Sequence, residues 1–394
     1  MENNEHTTIS RLPLRNNPTG EWLLLCAMGL MGLGVVMVCS AMSSLKSAAI
    51  AVEWYQRVDG KQVIFAVAAL FILFFGWRFN YRWLAAGEKG PAMAIFLFII
   101  TIILSMLVFV PGLGHEMGEK YRWVKITPYF QFQPSELLKF VAIILIAAIL
   151  TRPNARPKNF FVVLLCGGIT LISMGVVITQ DFGTGVLIGV SCAITMFLAG
   201  VPWYYFAVAI PAACAVGYKF MLSASYRVDR WNAYLNPWDM TNKATFHTQQ
   251  SLFAILSGEY TGVGLGNGIR KMDFLPEDTT DFIFAVFCEE CGLFGAALLL
   301  LLFAVLLIMS YKAAARAGDN FGRVLAASFG SLIIFQAMLH IGVNLAILPP
   351  KGIALPFISA GGTGLLIMSM AVSLIVSVSS RPNDDILQQY VVKA

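Results

Sequence analysis

The sequence predicts an all-α polytopic membrane protein of about ten transmembrane helices, with a large extracytoplasmic loop between helices 7 and 8. Three observations carry that prediction. The 394 residues are 58% hydrophobic and 12% charged, with a mean hydropathy of +0.74, where a soluble domain has roughly 25% charge. Apolar runs of about 20 residues, enough to cross a hydrocarbon layer of about 30 Å as a helix, recur along the whole chain. The net charge of +5 is spread over many short loops with no basic block, so no nucleic-acid partner is expected.

Apolar runs between charged or Pro/Gly breaks place the spans near 22–43, 62–77, 91–110, 135–151, 160–178, 184–199, 202–221, 282–311, 322–348 and 361–380. The chain then divides into a tail (1–21), a membrane domain (22–380) whose loop 222–281 is the longest, and a second tail (381–394). The first run is longer than the 7–15 residues of a signal-peptide core and has no A-x-A cleavage site, so a retained helix is expected. An even count puts both ends on one side. The loops of that side hold thirteen Lys and Arg; the opposite loops hold twelve, five of them in 222–281, where the positive-inside rule has little force. The remaining 13 against 7 orients both termini to the cytoplasm and 222–281 outward.

The seven cysteines all fall in or at the ends of apolar runs, so no disulfide framework is implied. Cys288 and Cys291 form a C-x-x-C without the second pair or histidine a zinc site needs. No P-loop signature occurs, and the glycines of 262–268 lack the strand of a dinucleotide fingerprint, so they read as a flexible turn. Ionisable residues inside apolar segments are costly and point to function or a specific partner. Glu136 and Lys139 open the fourth span three residues apart, suited either to pairing on one helix face or to lining a polar cavity. Glu289 and Glu290 fall eight residues beyond Asp281, about 12 Å deeper if one helix runs through; they are read as hydrogen-bonded to neighbouring helices or as catalytic. Polar and cationic residues concentrate in the outward loops, and Asp281 stands where the longest of these meets the eighth span, as a helix cap or as a site residue.

The motifs resemble those of the SEDS (shape, elongation, division and sporulation) family of bacterial peptidoglycan polymerases, which includes FtsW and RodA. They are Arg122-Trp123, Gln133-Pro134-Ser135-Glu136 with Lys139, Asp181-Phe182-Gly183-Thr184, Asn236-Pro237-Trp238, Gln250-Ser251-Leu252, Gly264-Leu265-Gly266, Leu275-Pro276-Glu277, Thr280-Asp281-Phe282-Ile283-Phe284, and Pro350-Lys351-Gly352 through Leu355-Pro356-Phe357-Ile358-Ser359 with Gly361-Gly362. The resemblance covers nearly the whole chain, and Lys351-Gly352 is closer to the division-type, FtsW-like branch. The chain departs from the family at Thr279, where His is usual, at Ala360, where Tyr is usual, and at Thr363-Gly364, where Ser-Ser is usual.

The resemblance implies a peptidoglycan glycosyltransferase that polymerises lipid II, a disaccharide-pentapeptide on undecaprenyl diphosphate, at the outer face of the bacterial cytoplasmic (inner) membrane, for septal synthesis in division. Asp281 maps onto the family's essential acid and is the expected catalytic base. Arg227, Arg230, Lys271, Arg122 and Lys351 are the candidates for the diphosphate, with Glu136 and Lys139 as further substrate-binding candidates. A divalent cation, Mg2+ or Mn2+, could share that work. The implied partners are a class B penicillin-binding protein transpeptidase and other divisome membrane proteins. A lipid II flippase and a non-catalytic divisome scaffold are the alternative functions.

Overall fold

The computed structural model describes residues 17–42, 58–85, 91–110, 114–117, 120–125, 131–153, 155–222, 225–238, 243–271 and 279–382. The tail before residue 17, the residues after 382 and the Leu275-Pro276-Glu277 motif lie outside them. Among the described residues twelve α-helices follow in order: α1 (Pro18–Ala41), α2 (Val58–Gly76), α3 (Ala92–Met106), α4 (Pro134–Leu150), α5 (Phe160–Ile178), α6 (Phe182–Leu198), α7 (Trp203–Leu222), α8 (Ser225–Leu235), α9 (Lys243–Ser257), α10 (Ile283–Arg316), α11 (Asn320–Asn344) and α12 (Gly362–Ser379). Each of the ten expected spans falls on a helix, and seven of these are long and apolar enough to cross a membrane by length and composition. The chain is a multi-pass membrane protein.

Local chemistry starts the helices. Asn17 accepts from the Gly20 amide with Pro18 opening α1, Asp181 accepts from the Thr184 amide to start α6, and Asp319 accepts from the Gly322 amide to start α11. The core lies along α4, α11 and α12, where Ile143, Leu325 and Ile375 are fully buried and Phe140 stacks on Phe329 at 4.7 Å. The outer helices instead show Phe71, Ile99, Leu171 and Val208, as expected of side chains that meet lipid.

Polar contacts sort the helix ends into two faces. On one, Asn17 Nδ2 donates to the hydroxyls of Ser379 and Ser380, Tyr81 donates to Asp319 at 2.6 Å, and Arg381 donates to the carbonyls of Ser377 and Arg78. The opposite face gathers the loops that carry Arg122, Asp181, Asp281 and Lys351. A small antiparallel sheet stands there between α3 and α4: β1 (Gly114–Met117), β2 (Lys120–Lys125) and β3 (Gln131–Phe132), with Val124 opposite both Gly114 and Phe132.

Three expectations from sequence are corrected here. The eighth span is not one straight helix, because Gly292 (φ 64°, ψ −166°) breaks α10 into 283–291 and 293–316. The second piece is about 36 Å long at about 1.5 Å per residue and can cross the membrane alone. The first piece runs from the end of α11, where Asn344 accepts from the Ala285 amide, to the end of α1, where Ser40 donates to Glu290 at 2.7 Å. Glu289 and Glu290 are thus level with the end of α1, and a depth counted along one helix does not apply.

The 222–281 stretch is also more than a polar loop: it holds α8 and α9, and α9 buries Thr245, Thr248, Gln249, Gln250 and Ser251 on its way past α10. Nor is 262–268 a flexible turn. The amides of Val263 and Gly264 donate to the carbonyls of Glu289 and Glu290, and the turn lies so close that a Cβ at Gly262 would stand 2.1 Å from the Glu290 carbonyl oxygen. Close backbone approach explains Gly262, and a positive φ explains Gly264 (96°) and Gly266 (83°).

Candidate functional site

Asp281 sits just before α10, with its backbone and side chain held by different neighbours. Its carbonyl accepts from Asn344 Nδ2 at 3.0 Å. The two residues before it are tied to the segment that joins α11 to α12, because Ser359 Oγ donates to the Thr280 carbonyl at 2.7 Å and the Ala360 amide donates to that of Thr279 at 2.8 Å. The carboxylate lies against the backbone of Gly352: a Cβ there would stand 2.8 Å from Asp281 Oδ2. A side chain at this position would have to push the carboxylate aside, and Lys351 is the next residue back along the chain.

Lys351 places its ammonium 4.7 Å from the centroid of the Phe182 ring, within reach of a cation–π attraction. Burial lowers its pKa below the usual lysine range; Asp181 opposes the shift and the nearby positive charge of Arg230 adds to it. Asp181 caps α6 through Oδ1 and faces Arg122 Nη1 at 3.4 Å through Oδ2, which ties β2 to the start of α6. Arg122, Gln133, Ser135, Gln180 and Asp181 line a small crevice beside this cluster. Three cations (Arg122, Arg230, Lys351) and two carboxylates (Asp181, Asp281) therefore share one face, three of them contributed by loops far apart in sequence.

Other candidates lie elsewhere. Arg227 is on α8, and its side chain is outside the described set. Lys271, expected among the diphosphate ligands, is buried: its Nζ donates to Glu290 at 2.8 Å and to the Ser40 hydroxyl at 2.9 Å. Glu289 accepts from the amides of Ile269 and Arg270. The pair at the start of α4 also meets itself, with Lys139 Nζ donating to Glu136 at 2.9 Å and to Gln336 at 2.7 Å. Lys139 has no exposed surface, so this pair and the Lys271–Glu290 pair brace helices.

Sequence reading missed Gly352 as a contact of the acid. It also missed Gln336, His340 and Asn344, polar residues spaced four apart in an apolar span; that spacing was the available signal. Among the described residues no three His, Cys, Asp or Glu side chains converge to hold a metal ion. The described residues therefore make no metal site from protein ligands alone.

Comparison with known proteins identifies the chain's relatives. The model of the FtsW/RodA/SpoVE family, described as cell cycle proteins, matches residues 21–384. The chain is 34% identical over 362 residues to a probable peptidoglycan glycosyltransferase FtsW of Nitrosococcus halophilus, covering 91% of each chain. It is 35% identical over 325 residues to the stage V sporulation protein E of Bacillus subtilis, covering 81% of this chain and 86% of that one. Among solved structures it is similar in fold to a chain of a peptidoglycan synthase complex that coordinates polymerization and crosslinking (TM-score 0.71, 23% identity, 91% and 96% covered). It is also similar in fold to the rod shape determining protein RodA of Thermus thermophilus (TM-score 0.64, 23% identity, 91% and 95% covered). With a family match across residues 21–384 and relatives more than 30% identical over most of their length, the chain belongs to the FtsW/RodA/SpoVE family of cell cycle proteins.

Proposed function

We propose that this protein is a peptidoglycan glycosyltransferase that polymerises lipid II at the outer face of the cytoplasmic membrane. The observation that carries the reading is the half-exposed Asp281 carboxylate set against Gly352, one residue from Lys351, with Arg230 and Arg122 on the same face. Glycosyl transfer needs a base at the acceptor hydroxyl and positive charge for the departing diphosphate. Asp281 serves as the base; Lys351, Arg230 and Arg122 hold the diphosphate, the arginines by paired N–H donors and Lys351 as a point charge. A divalent cation, Mg2+ or Mn2+, would find a carboxylate ligand in Asp281 and would supply positive charge for the departing diphosphate. No step depends on it here.

The 13-to-7 excess of basic residues supports a cytoplasmic location for both termini and an outward-facing Asp281. A class B penicillin-binding protein is the natural partner, because a structural neighbour belongs to a peptidoglycan synthase complex that coordinates polymerization and crosslinking. Its similarity to proteins named FtsW favours a role at the division septum with other divisome proteins. The test is a gel assay of glycan strands made from purified lipid II by the purified protein, with and without the transpeptidase. Strand synthesis supports the reading; lipid translocation without any strands would replace it with a flippase.

A further inference from the structure

The polar stripe of α11 is turned toward the segments that form the site. Gln336, His340 and Asn344 recur every four residues, so they stand on one helix face, and all three are buried. Gln336 Oε1 accepts from Lys139 at 2.7 Å while its Nε2 donates to the Ala354 carbonyl at 2.9 Å. His340 Nδ1 meets the Ile353 carbonyl at 2.6 Å. Asn344 Nδ2 donates to the Asp281 carbonyl and its Oδ1 accepts from the Ala285 amide. Three consecutive turns of one helix thus hold the Glu136–Lys139 pair, the segment bearing Lys351 and Gly352, and Asp281 itself.

Residues 351–355 have no regular secondary structure, and the carbonyls of Ile353 and Ala354 are met by the side chains of His340 and Gln336. A carbonyl oxygen only accepts, which fixes the hydrogen of His340 on Nδ1. The other ring nitrogen, Nε2, is buried with no hydrogen-bond partner. The ring therefore contributes to its surroundings through one bond, the one that sets the height of Ile353 and hence of Gly352 against the Asp281 carboxylate.

We infer that His340 is a positioning residue: through its single hydrogen bond to Ile353, in the stripe it shares with Gln336 and Asn344, it fixes the spacing between Asp281 and Lys351. This rests on the proposed transferase reading, and the test separates the two. His340→Leu keeps much of the bulk and removes the donor; His340→Asn restores a nitrogen donor at the δ position. Two readouts are taken on the full-length protein in detergent: hydrogen exchange of the amides in 351–360 and 279–285, which needs no activity, and kcat and KM for polymerisation of purified lipid II.

The expected result for His340→Leu is faster exchange in both segments and a kcat about 10-fold lower at similar KM, the signature of a reacting group displaced by a fraction of an ångström. His340→Asn should return both readouts toward the unmodified protein. Unchanged exchange in His340→Leu, or an Asn variant as impaired as the Leu variant in both readouts, would overturn the inference. Altered exchange rescued by Asn, in a protein that makes no strands even unmodified, would instead overturn the transferase reading and leave the positioning role standing.

Discussion

Two acidic clusters on the same face of the molecule look alike in sequence and differ in kind. Glu289 and Glu290 are buried, and their oxygens are taken up by three backbone amides, the Ser40 hydroxyl and the Lys271 ammonium. Asp281 is half-exposed and lies against Gly352, next in sequence to Lys351, whose ammonium feels the charges of Asp181 and Arg230. Burial with every oxygen satisfied locks a carboxylate to its helix neighbours, whereas partial exposure beside excess positive charge leaves it able to meet an anionic substrate.

The comparison can be broken from either side. The largest expected effect is on folding: removing one member of a buried ion pair costs about 3–5 kcal/mol, so Glu290→Gln should lower the melting temperature in detergent sharply, and Lys271→Met combined with it should recover part of the loss. A Glu290→Gln protein as stable as the original would show that the cluster does not brace the fold. Next, Lys351→Ala should reduce strand synthesis on the order of 100-fold with little change in melting temperature, the scale of losing one preorganised electrostatic contact. Gly352→Ala should cost about 10-fold in kcat, because the new methyl displaces the Asp281 carboxylate by a fraction of an ångström.

The smallest expected effect is a pH dependence. The pKa of Lys351 is lowered by burial, so its charge is lost, as pH rises, below the usual lysine range. Polymerisation should decline on that alkaline limb, and Lys351→Arg should extend activity through it because the guanidinium stays charged. The stability sign is the reverse: the folded state binds fewer protons than the unfolded chain, so stability rises with pH between the folded value and the usual lysine value. An alkaline limb unmoved by Lys351→Arg would remove Lys351 from the diphosphate site.

Much of this was legible in the sequence. Runs of apolar residues fixed where the helices lie because a membrane leaves the backbone no alternative, and Asp281, Lys351 and Arg122 stood out because their motifs lay in loops of one side. The fate of Lys271 was not legible, because its partners Glu290 and Ser40 lie far off in sequence; nor was the break at Gly292, since a single glycine in an apolar run looks the same whether the helix continues or turns. The same break invalidated the depth assigned to Glu289 and Glu290. The tight seating of Gly262 and the pairing of Gln336 with two distant segments depend on contacts between residues far apart in the chain, which no local pattern encodes.

The central claim is that the exposed acid reacts and the buried acids brace. It is tested most directly by Asp281→Asn beside Glu289→Gln, each purified, checked for folding by melting temperature, and assayed for glycan strands from purified lipid II. Asp281→Asn keeps size and most hydrogen bonding while losing basicity, so the expected result is a fall on the order of 100- to 10,000-fold in strand synthesis with folding preserved. Glu289→Gln is expected to melt earlier and, in whatever fraction stays folded, to polymerise at close to the normal rate. Near-normal strand synthesis by folded Asp281→Asn protein would contradict the account.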